Sequence, residues 1–440
     1  MSRSMTYGLA PRMKPLGPKR SALVAALDVG TSKIACLIGR LRPGQPAEHM
    51  RQRTHTIDVV GFGHAPASGI KAGAVIDLAA AEAAVRQCAE FAERSARMQL
   101  DSVVVSVSAG RPASERMSAS IEMASSSIGE REIARVLAAG SRHSARQGRA
   151  ILHSLPTGYI VDEAAGVRDP RGMLAQRFGI NMHVVTADAS VARNLMLAVE
   201  RCHLMIEAMA ASSYAAGLAT LTADEAELGA AVVDMGAGTT TIAVFSAGGF
   251  IHTDGFAVGG SHVTLDLARG LNARLADAER IKTLYGSVLS GASDDRDVIA
   301  VPPLDGDERE PPHFVSRAHL VRIIKPRVEE ILEWVRDRLA ASPFASEPRG
   351  RVVLSGGASQ LTGLADLAGR MLGRPVRIGR PTAISGLPDE AQGPAFAVAT
   401  GLLVYPQLAH LEHFEPRQTR HTATGGGYIA RVGRWLRESF

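Results

Sequence analysis

Two segments of this 440-residue chain set aspartate, glycine and small hydroxyls in the same order: LDVGTSKIACLIG (Leu27 to Gly39) and VVDMGAGTTTIAVF (Val232 to Phe245). Each reads as an apolar strand, then Asp-x-Gly with Thr or Ser close behind, then a second apolar strand. A glycine turn between strands lets backbone N–H groups and hydroxyls close on a phosphate, because no Cβ holds the anion away. The strand-end carboxylates, Asp28 and Asp234, suit Mg²⁺ held through water, since that ion keeps part of its hydration shell. Lys33, five residues after Asp28, either reaches a phosphate or points to solvent. Taken singly, each segment is equally an ordinary hairpin with a Gly turn. The repetition suggests two similar lobes clamping one nucleotide.

Three further groups stand beside the hairpins. DGFAVGGSHVTLDLA (Asp254 to Ala268) places Gly259 and Gly260 at a helix start, where orphan N–H groups and the helix dipole favour phosphate. Glu279 and Lys282 sit at i, i+3 on one helix face, to hydrogen-bond ribose and adenine or simply to pair with each other. Gly356 and Gly357 end an apolar strand, where backbone can approach an adenosine closely.

The elements that must position these groups alternate between strand and helix, which predicts an α/β fold in two halves. Successive strands run from Ser21 to Gly63, and Asp77 caps a helix reaching about Arg97. VVVSVSA (Val103 to Ala109) is another strand. The texture then changes: from Arg111 to about Asp188 there are short strands, a helix from Glu130 to Gly148, and a closing strand MHVVTA. A helix at Ser190 to Glu200 precedes the second hairpin, and helical segments follow at His262 to Tyr285 and Ser316 to Ala340. The Asp-, Glu-, Gly- and Pro-rich divider from Gly286 to Pro312 predicts an exposed acidic loop or hairpin.

Composition narrows the class. No apolar run approaches the 18 or so residues of a membrane-spanning helix, and the N-terminus lacks the apolar core of a signal peptide, so a cytoplasmic chain is expected. Cys36, Cys88 and Cys202 are scattered and odd in number, which fits reduced thiols. Of the net charge of +5, residues 1–20 alone carry +5 and residues 411–440 a further +2, leaving the middle near −2. There is no basic patch interleaved with aromatics, so nucleic acid is not an expected partner.

The order of motifs, ending in LSGGASQL, resembles the actin, Hsp70 and sugar-kinase superfamily over about Leu23 to Val404. ASSYAAGLATLTADEAELGAAVVDMGAGTTTIAV, PTGYIVDEAAGVRDPRGM and PPHFVSRAHLVRIIKPRVEEI narrow the resemblance to the FtsA family of bacterial cell-division actin homologues. The resemblance implies a two-domain actin-like ATPase fold with a 1C subdomain and a C-terminal amphipathic membrane helix. Its boundaries here would be a disordered basic arm at 1–20, subdomain 1A at 21–100 and 187–228, and 1C at 101–186. Subdomain 2A would take 229–262 and 346–405, and 2B 263–345. A flexible linker at 406–426 would lead to the helix at 427–440. ATP and Mg would lie between the domains. Asp28, Gly30, Thr31 and Ser32 would form the first phosphate loop, and Asp234, Gly236, Gly238, Thr239 and Thr240 the second. Gly259, Gly260, Glu279, Lys282, Gly356 and Gly357 would surround the nucleoside. The resemblance also implies self-assembly into filaments, later division proteins recruited through 1C, and docking of the C-terminal peptide of the tubulin-like GTPase FtsZ on 2B, with Arg317, Lys325 and Arg327 as clustered cations. Hydrolysing relatives orient water with Glu or Gln before the second hairpin. AASSYAAGLA (Ala210 to Ala219) has neither, and Ser212 or Ser213 is a poor base at neutral pH. Slow or negligible hydrolysis is expected.

The tail speaks for itself. At 100° per residue, Tyr428, Ile429, Val432, Trp435, Leu436 and Phe440 span an arc of about 140°, with Arg431, Arg434 and Arg437 opposite. This is the pattern of a helix lying in a membrane interface, with Arg at anionic headgroups. Two other readings of the whole chain are a small-metabolite kinase of the same fold and the actin-like scaffold of pilus assembly. Neither explains the tail.

Overall fold

The computed structural model describes residues 13–44, 53–142, 146–291, 294–304, 311–347 and 349–414. The first lobe opens with β1 (Ala22–Val29), β2 (Lys33–Pro43) and β3 (His55–Pro66), a short ribbon of β4 (Ile70–Lys71) and β5 (Ala74–Val75), then α1 (Leu78–Ala96) and β6 (Ser102–Val107). Asp77 caps α1 by accepting from the Ala80 N–H (3.1 Å). Ala81, Ala84, Val85, Cys88, Ala89 and Ala92 form the helix face buried on the sheet.

A compact insert follows: β7 (Ala113–Ser127), α2 (Glu130–Gly140), β8 (Arg149–Val161), β9 (Ala164–Val167) and β10 (Leu174–Asp188). Its antiparallel sheet runs β7-β10-β8-β9 and encloses its own core around Ile133, Val136, Phe178 and Ile180. The chain returns through α3 (Ala189–Glu200), β11 (Met205–Ala211), α4 (Ser212–Thr220) and α5 (Ala223–Leu228).

The second lobe holds β12 (Ala230–Met235), β13 (Thr240–Ser246), β14 (Gly249–Phe256), α6 (Gly260–Gly270) and α7 (Leu275–Tyr285). Next come the β15 (Val298–Val301) and β16 (His313–Ser316) hairpin, α8 (Arg317–Ala340), β17 (Arg351–Ser355), α9 (Leu364–Leu372), β18 (Val376–Ile378) and α10 (Ala397–Val404).

The two large sheets are built alike. One runs β11-β6-β1-β2-β3 and the other β14-β13-β12-β17-β18. In each, an antiparallel three-strand meander is extended by two parallel strands beyond its first strand. Asp28 is the penultimate residue of β1 and Asp234 of β12, so the duplicated topology sets the two carboxylates at equivalent strand ends. The lobes are joined where α4 crosses α10. A Cβ on Gly401 would stand 1.7 Å from Ala215 O, so this crossing admits no side chain at that point.

Several boundaries differ from the sequence reading. β6, expected to open the insert at 101, pairs in parallel with β1 and β11 instead, because an apolar strand is buried at a sheet centre. The helix from Glu130 stops at Gly140, not Gly148, and the helix expected from His262 to Tyr285 is two, broken at Leu271–Arg274 where Asn272 is left-handed (φ 47°). The linker does not begin at 406. Tyr405, Pro406, Gln407, Leu408 and Ala409 are buried in short 3-10 turns, and the chain is packed to Phe414. Nor is the arm wholly free of the fold: Met13 and Leu16 pack on the first core, and Arg20 O contacts His55 Nε2 (3.0 Å). Residues 1–12 and the amphipathic segment 427–440 lie outside the described residues.

Candidate functional site

The hairpin turns are superposable in their bonding: Gly30 N–H donates to Lys33 O (3.0 Å), and Gly236 N–H donates to Thr239 O (2.9 Å). They face each other across a cavity of about 610 Å³. Asp28, Gly30, Thr31, Ser32, Lys33, Asp234, Gly236, Thr239, Gly260, Glu279, Lys282, Gly356 and Gly357 all line it, so residues from five separate stretches of chain converge on one cleft. Gly356 is left-handed (φ +81°), and a Cβ there would lie 2.4 Å from Met235 O, which keeps the β17 turn pressed against the second hairpin.

Three expected residues do something else. Thr240 is fully buried, and its hydroxyl donates to Val258 O (2.8 Å), away from the cleft. Gly238 is a contact between lobes: a Cβ there would sit 2.5 Å from Thr31 Oγ1. Gly259 packs on the second hairpin, with Gly236 O 2.3 Å from where its Cβ would be. The start of α6 is accordingly not an open anion site. Gly260 N–H donates to Gly236 O (2.9 Å) and Ser261 N–H to Ala237 O (2.8 Å), so these amides hold the hairpin rather than a phosphate.

The charges in the cleft are strained by burial. Burial and the neighbouring Asp28 push the Asp234 carboxyl up to about 7, with Lys33 opposing. Burial likewise raises Asp28, against a hydrogen bond from Ser106 Oγ (2.6 Å) and the charge of Lys33. Burial brings the Lys33 ammonium down to about 8. That ammonium neither points to solvent nor lies free: it donates to Ala395 O (2.6 Å) and sits 3.3 Å from the centroid of the Phe396 ring. Two neighbouring carboxylates that repel each other in a desolvated cleft are a donor set that a hard divalent cation would relieve.

Glu279 and Lys282 do pair with each other (2.7 Å), and Lys282 Nζ also donates to Thr264 Oγ1 (2.8 Å) and Gly260 O (3.1 Å). The ion pair thereby ties α7 to the first turn of α6, on the rim of the cavity.

Sequence reasoning missed Ser106 and Ser108. Both come from β6 or just beyond it; Ser108 lines the cavity, and Ser106 accepts from the Val29 N–H (3.2 Å) while donating to Asp28. Two serines at i, i+2 in an otherwise apolar strand were the available signal. Ser212 also lines the cavity and contacts Thr241 Oγ1 (3.1 Å), whereas Ser213 turns inward onto Thr253 Oγ1 (3.0 Å).

The clustered cations of α8 are not a cluster. Lys325 and Arg327 lie roughly 160° apart around the helix. Arg327 is taken up by Asp266 (2.6 Å) and Glu330, and Lys325 stands 3.7 Å from Glu329. Arg317 Nε is 3.9 Å from Asp294 Oδ1 and makes no hydrogen bond.

Comparison with known proteins agrees with this architecture. The family model for cell division protein FtsA matches residues 231–401, and that for the SHS2 domain inserted in FtsA matches 109–186. Cell division protein FtsA of Agrobacterium fabrum is 50% identical over 439 residues, 99% of this chain and 99% of its own length. The chain belongs to the FtsA family. FtsA of Escherichia coli strain K12 is 31% identical over 425 residues, covering 95% of this chain and 98% of its own. The insert is thus the SHS2 domain of FtsA, and its start at 109 agrees with β6 lying in the first sheet. Among solved structures, a PilM–PilN type IV pilus biogenesis complex matches with a TM-score of 0.59 at 18% identity (87% of this chain, 98% of that one). MreB5 of Spiroplasma citri bound to ADP matches at 0.51 and 14% (88% and 97%). These likenesses are of fold, and the mixed α/β actin-like ATPase fold is shared by all. Full-length identity to FtsA sets aside the pilus-scaffold and kinase readings.

Proposed function

We propose that this cell-division protein binds ATP with Mg²⁺ in the interlobe cleft, assembles into filaments on the cytoplasmic face of the inner membrane, and tethers the FtsZ ring there. The observation that carries the nucleotide reading is the pair of equivalent hairpins, each with an aspartate at the end of its first strand, closing on one cavity. Among the described residues no three His, Cys, Asp or Glu side chains gather into a metal cage. A cation on Asp28 and Asp234 would therefore draw further oxygens from water and phosphate, the habit of Mg²⁺. Bound there, it would neutralise phosphate charge. Ser106 orients the Asp28 carboxylate, Lys33 offers a cation close to the lobe junction, and the hairpin glycines leave room for phosphate oxygens.

The hydroxyls of Ser108 and Ser212 line the cleft and are poor bases at neutral pH, and Ala210 to Ala219 holds no Glu or Gln. Hydrolysis should be slow, with nucleotide acting as a conformational ligand. Steady turnover above roughly one per second, the ordinary enzyme range, would contradict this.

Among the described residues no helix is long and apolar enough to cross a membrane. Attachment is assigned to the amphipathic pattern of 427–440, with Tyr428, Ile429, Val432, Trp435, Leu436 and Phe440 toward acyl chains and Arg431, Arg434 and Arg437 toward headgroups. One short helix binds weakly, and a filament presenting many of them multiplies the effect. The FtsZ peptide is assigned to 2B near Arg317 and Lys325, and later division proteins to the SHS2 insert.

The nucleotide reading is tested by titrating a fluorescent ATP analogue with Mg²⁺ into the full chain and into Asp28→Asn and Asp234→Asn. Binding by the parent and its loss in both variants supports it; equal binding by all three refutes it.

A further inference from the structure

His153 is fully buried at the point where four parts of the molecule meet. It belongs to β8 of the insert. Its ring lies edge-on to Tyr214 of α4 (5.0 Å between centroids), to Tyr405 after α10 (5.8 Å) and to Phe250 of β14 in the second lobe (6.3 Å). Its two nitrogens are fully committed. The Ala211 N–H donates to His153 Nε2 (2.9 Å), so that nitrogen carries no proton and the ring is the neutral Nδ1–H tautomer. Nδ1–H then donates to Glu412 Oε1 (2.7 Å). Glu412 is itself only 4% exposed in its side chain, and its charge acts on the buried Tyr405 hydroxyl.

The two ends of this chain of bonds matter. Ala211 is the N-cap of α4, and the next residue, Ser212, lines the nucleotide cleft. Glu412 lies fifteen residues before 427–440, the segment that carries the amphipathic pattern. Its neighbours are sewn to the insert: His413 N–H donates to Ser154 O (2.8 Å), Ser141 Oγ donates to His413 O (3.2 Å), and Phe414 packs on the insert core. A pull at the root of the tail is therefore met by the insert and by α4 together, through direct hydrogen bonds between buried groups.

We propose that His153 and Glu412 are positioning residues that couple membrane engagement of the C-terminal segment to nucleotide affinity, by fixing the N-terminus of α4 at the cleft. The proposal rests on the ATP and membrane readings above. Coupling of this kind is reciprocal: if vesicles tighten nucleotide binding, nucleotide tightens vesicle binding by the same factor.

The test uses the full chain, a fluorescent ATP analogue, and vesicles containing phosphatidylglycerol, with vesicle binding read separately by sedimentation. Glu412→Ala removes the acceptor of His153, and Glu412→Gln restores one. The parent and Glu412→Gln should change nucleotide affinity at least about fivefold when vesicles are added. Glu412→Ala should pellet with vesicles yet show a nucleotide affinity indifferent to them. Amide hydrogen exchange without vesicles gives a second readout: Ala211 to Tyr214 should exchange faster in Glu412→Ala than in the parent, and normally in Glu412→Gln. A parent that binds both ligands with no change in nucleotide affinity overturns the coupling while leaving the tether intact. Full coupling in Glu412→Ala, or unchanged exchange at Ala211, overturns it as well. Failure of the parent to pellet or to bind nucleotide removes the underlying reading and the coupling together.

Discussion

Asp234 and Lys33 set the pH behaviour of the cleft. In the folded chain the Asp234 carboxyl titrates near 7, well above its ordinary 3.8, and the Lys33 ammonium near 8, below its ordinary 10.5. Below about 7 the cleft loses the anion that would attract Mg²⁺; above about 8 it loses the cation that would attract phosphate. Affinity for Mg-ATP should therefore peak between those values, and Asp234→Asn should lose the acid limb along with most binding. A profile that is flat from pH 6 to 9 would contradict this assignment. The same shift has a stability sign. Between about 4 and 7 the folded state holds a proton that the unfolded state has released, so this group's contribution falls as pH rises and its penalty is complete above 7. Asp234→Asn should consequently raise the melting temperature of nucleotide-free protein at pH 8 and change it little at pH 4. Ser106→Ala should weaken Mg-ATP binding about tenfold, the ~1.5 kcal/mol expected of a hydrogen bond to a charged group, while leaving the fold intact. Ser106 was legible only as a polar residue in an apolar strand; its meaning appears once β6 is seen to lie beside β1.

At the scale of elements, the hairpins were legible because glycine turns and strand-end aspartates are local features with a local geometry. What escaped was whatever depends on a distant partner. The start of α6 reads as an anion site in sequence, yet its first amides are spent on Gly236 O and Ala237 O. The strand at Ser102–Val107 carries no mark of which sheet will take it. The Pro-containing run after Val404 looks like a linker until its apolar side chains are seen buried, and Glu412 meets His153 across 259 residues. The α4–α10 crossing gives a prediction at this scale. Gly401→Ala must drive the two helices apart, since the new Cβ would overlap Ala215 O, and should cost about 3 kcal/mol or more in urea unfolding. Unfolding identical to the parent would show that the crossing is looser than the packing implies. On α8, Arg327→Ala should lower stability by breaking its pairs with Asp266 and Glu330, whereas Arg317→Ala and Lys325→Ala should weaken capture of an FtsZ C-terminal peptide in an anisotropy titration. If Arg327→Ala alone abolishes capture, the peptide lies on the other face of the helix.

For the whole molecule, two lobes of like topology close on a cleft, an inserted SHS2 domain is fastened against both, and residues 412–414 pack on that insert. That arrangement brings the rim of the cleft, the insert and residues 412–414 into one connected set of contacts. Attachment through the C-terminal segment underlies the proposed function. It is tested most directly by sedimenting the full chain, the chain ending at Thr424 and Trp435→Glu with phosphatidylglycerol-containing vesicles and Mg-ATP, at low and high salt. The full chain should pellet with the vesicles and do so less as salt rises, while both variants remain in the supernatant. Equal pelleting of all three, or of none, would contradict a membrane role for the C-terminal segment.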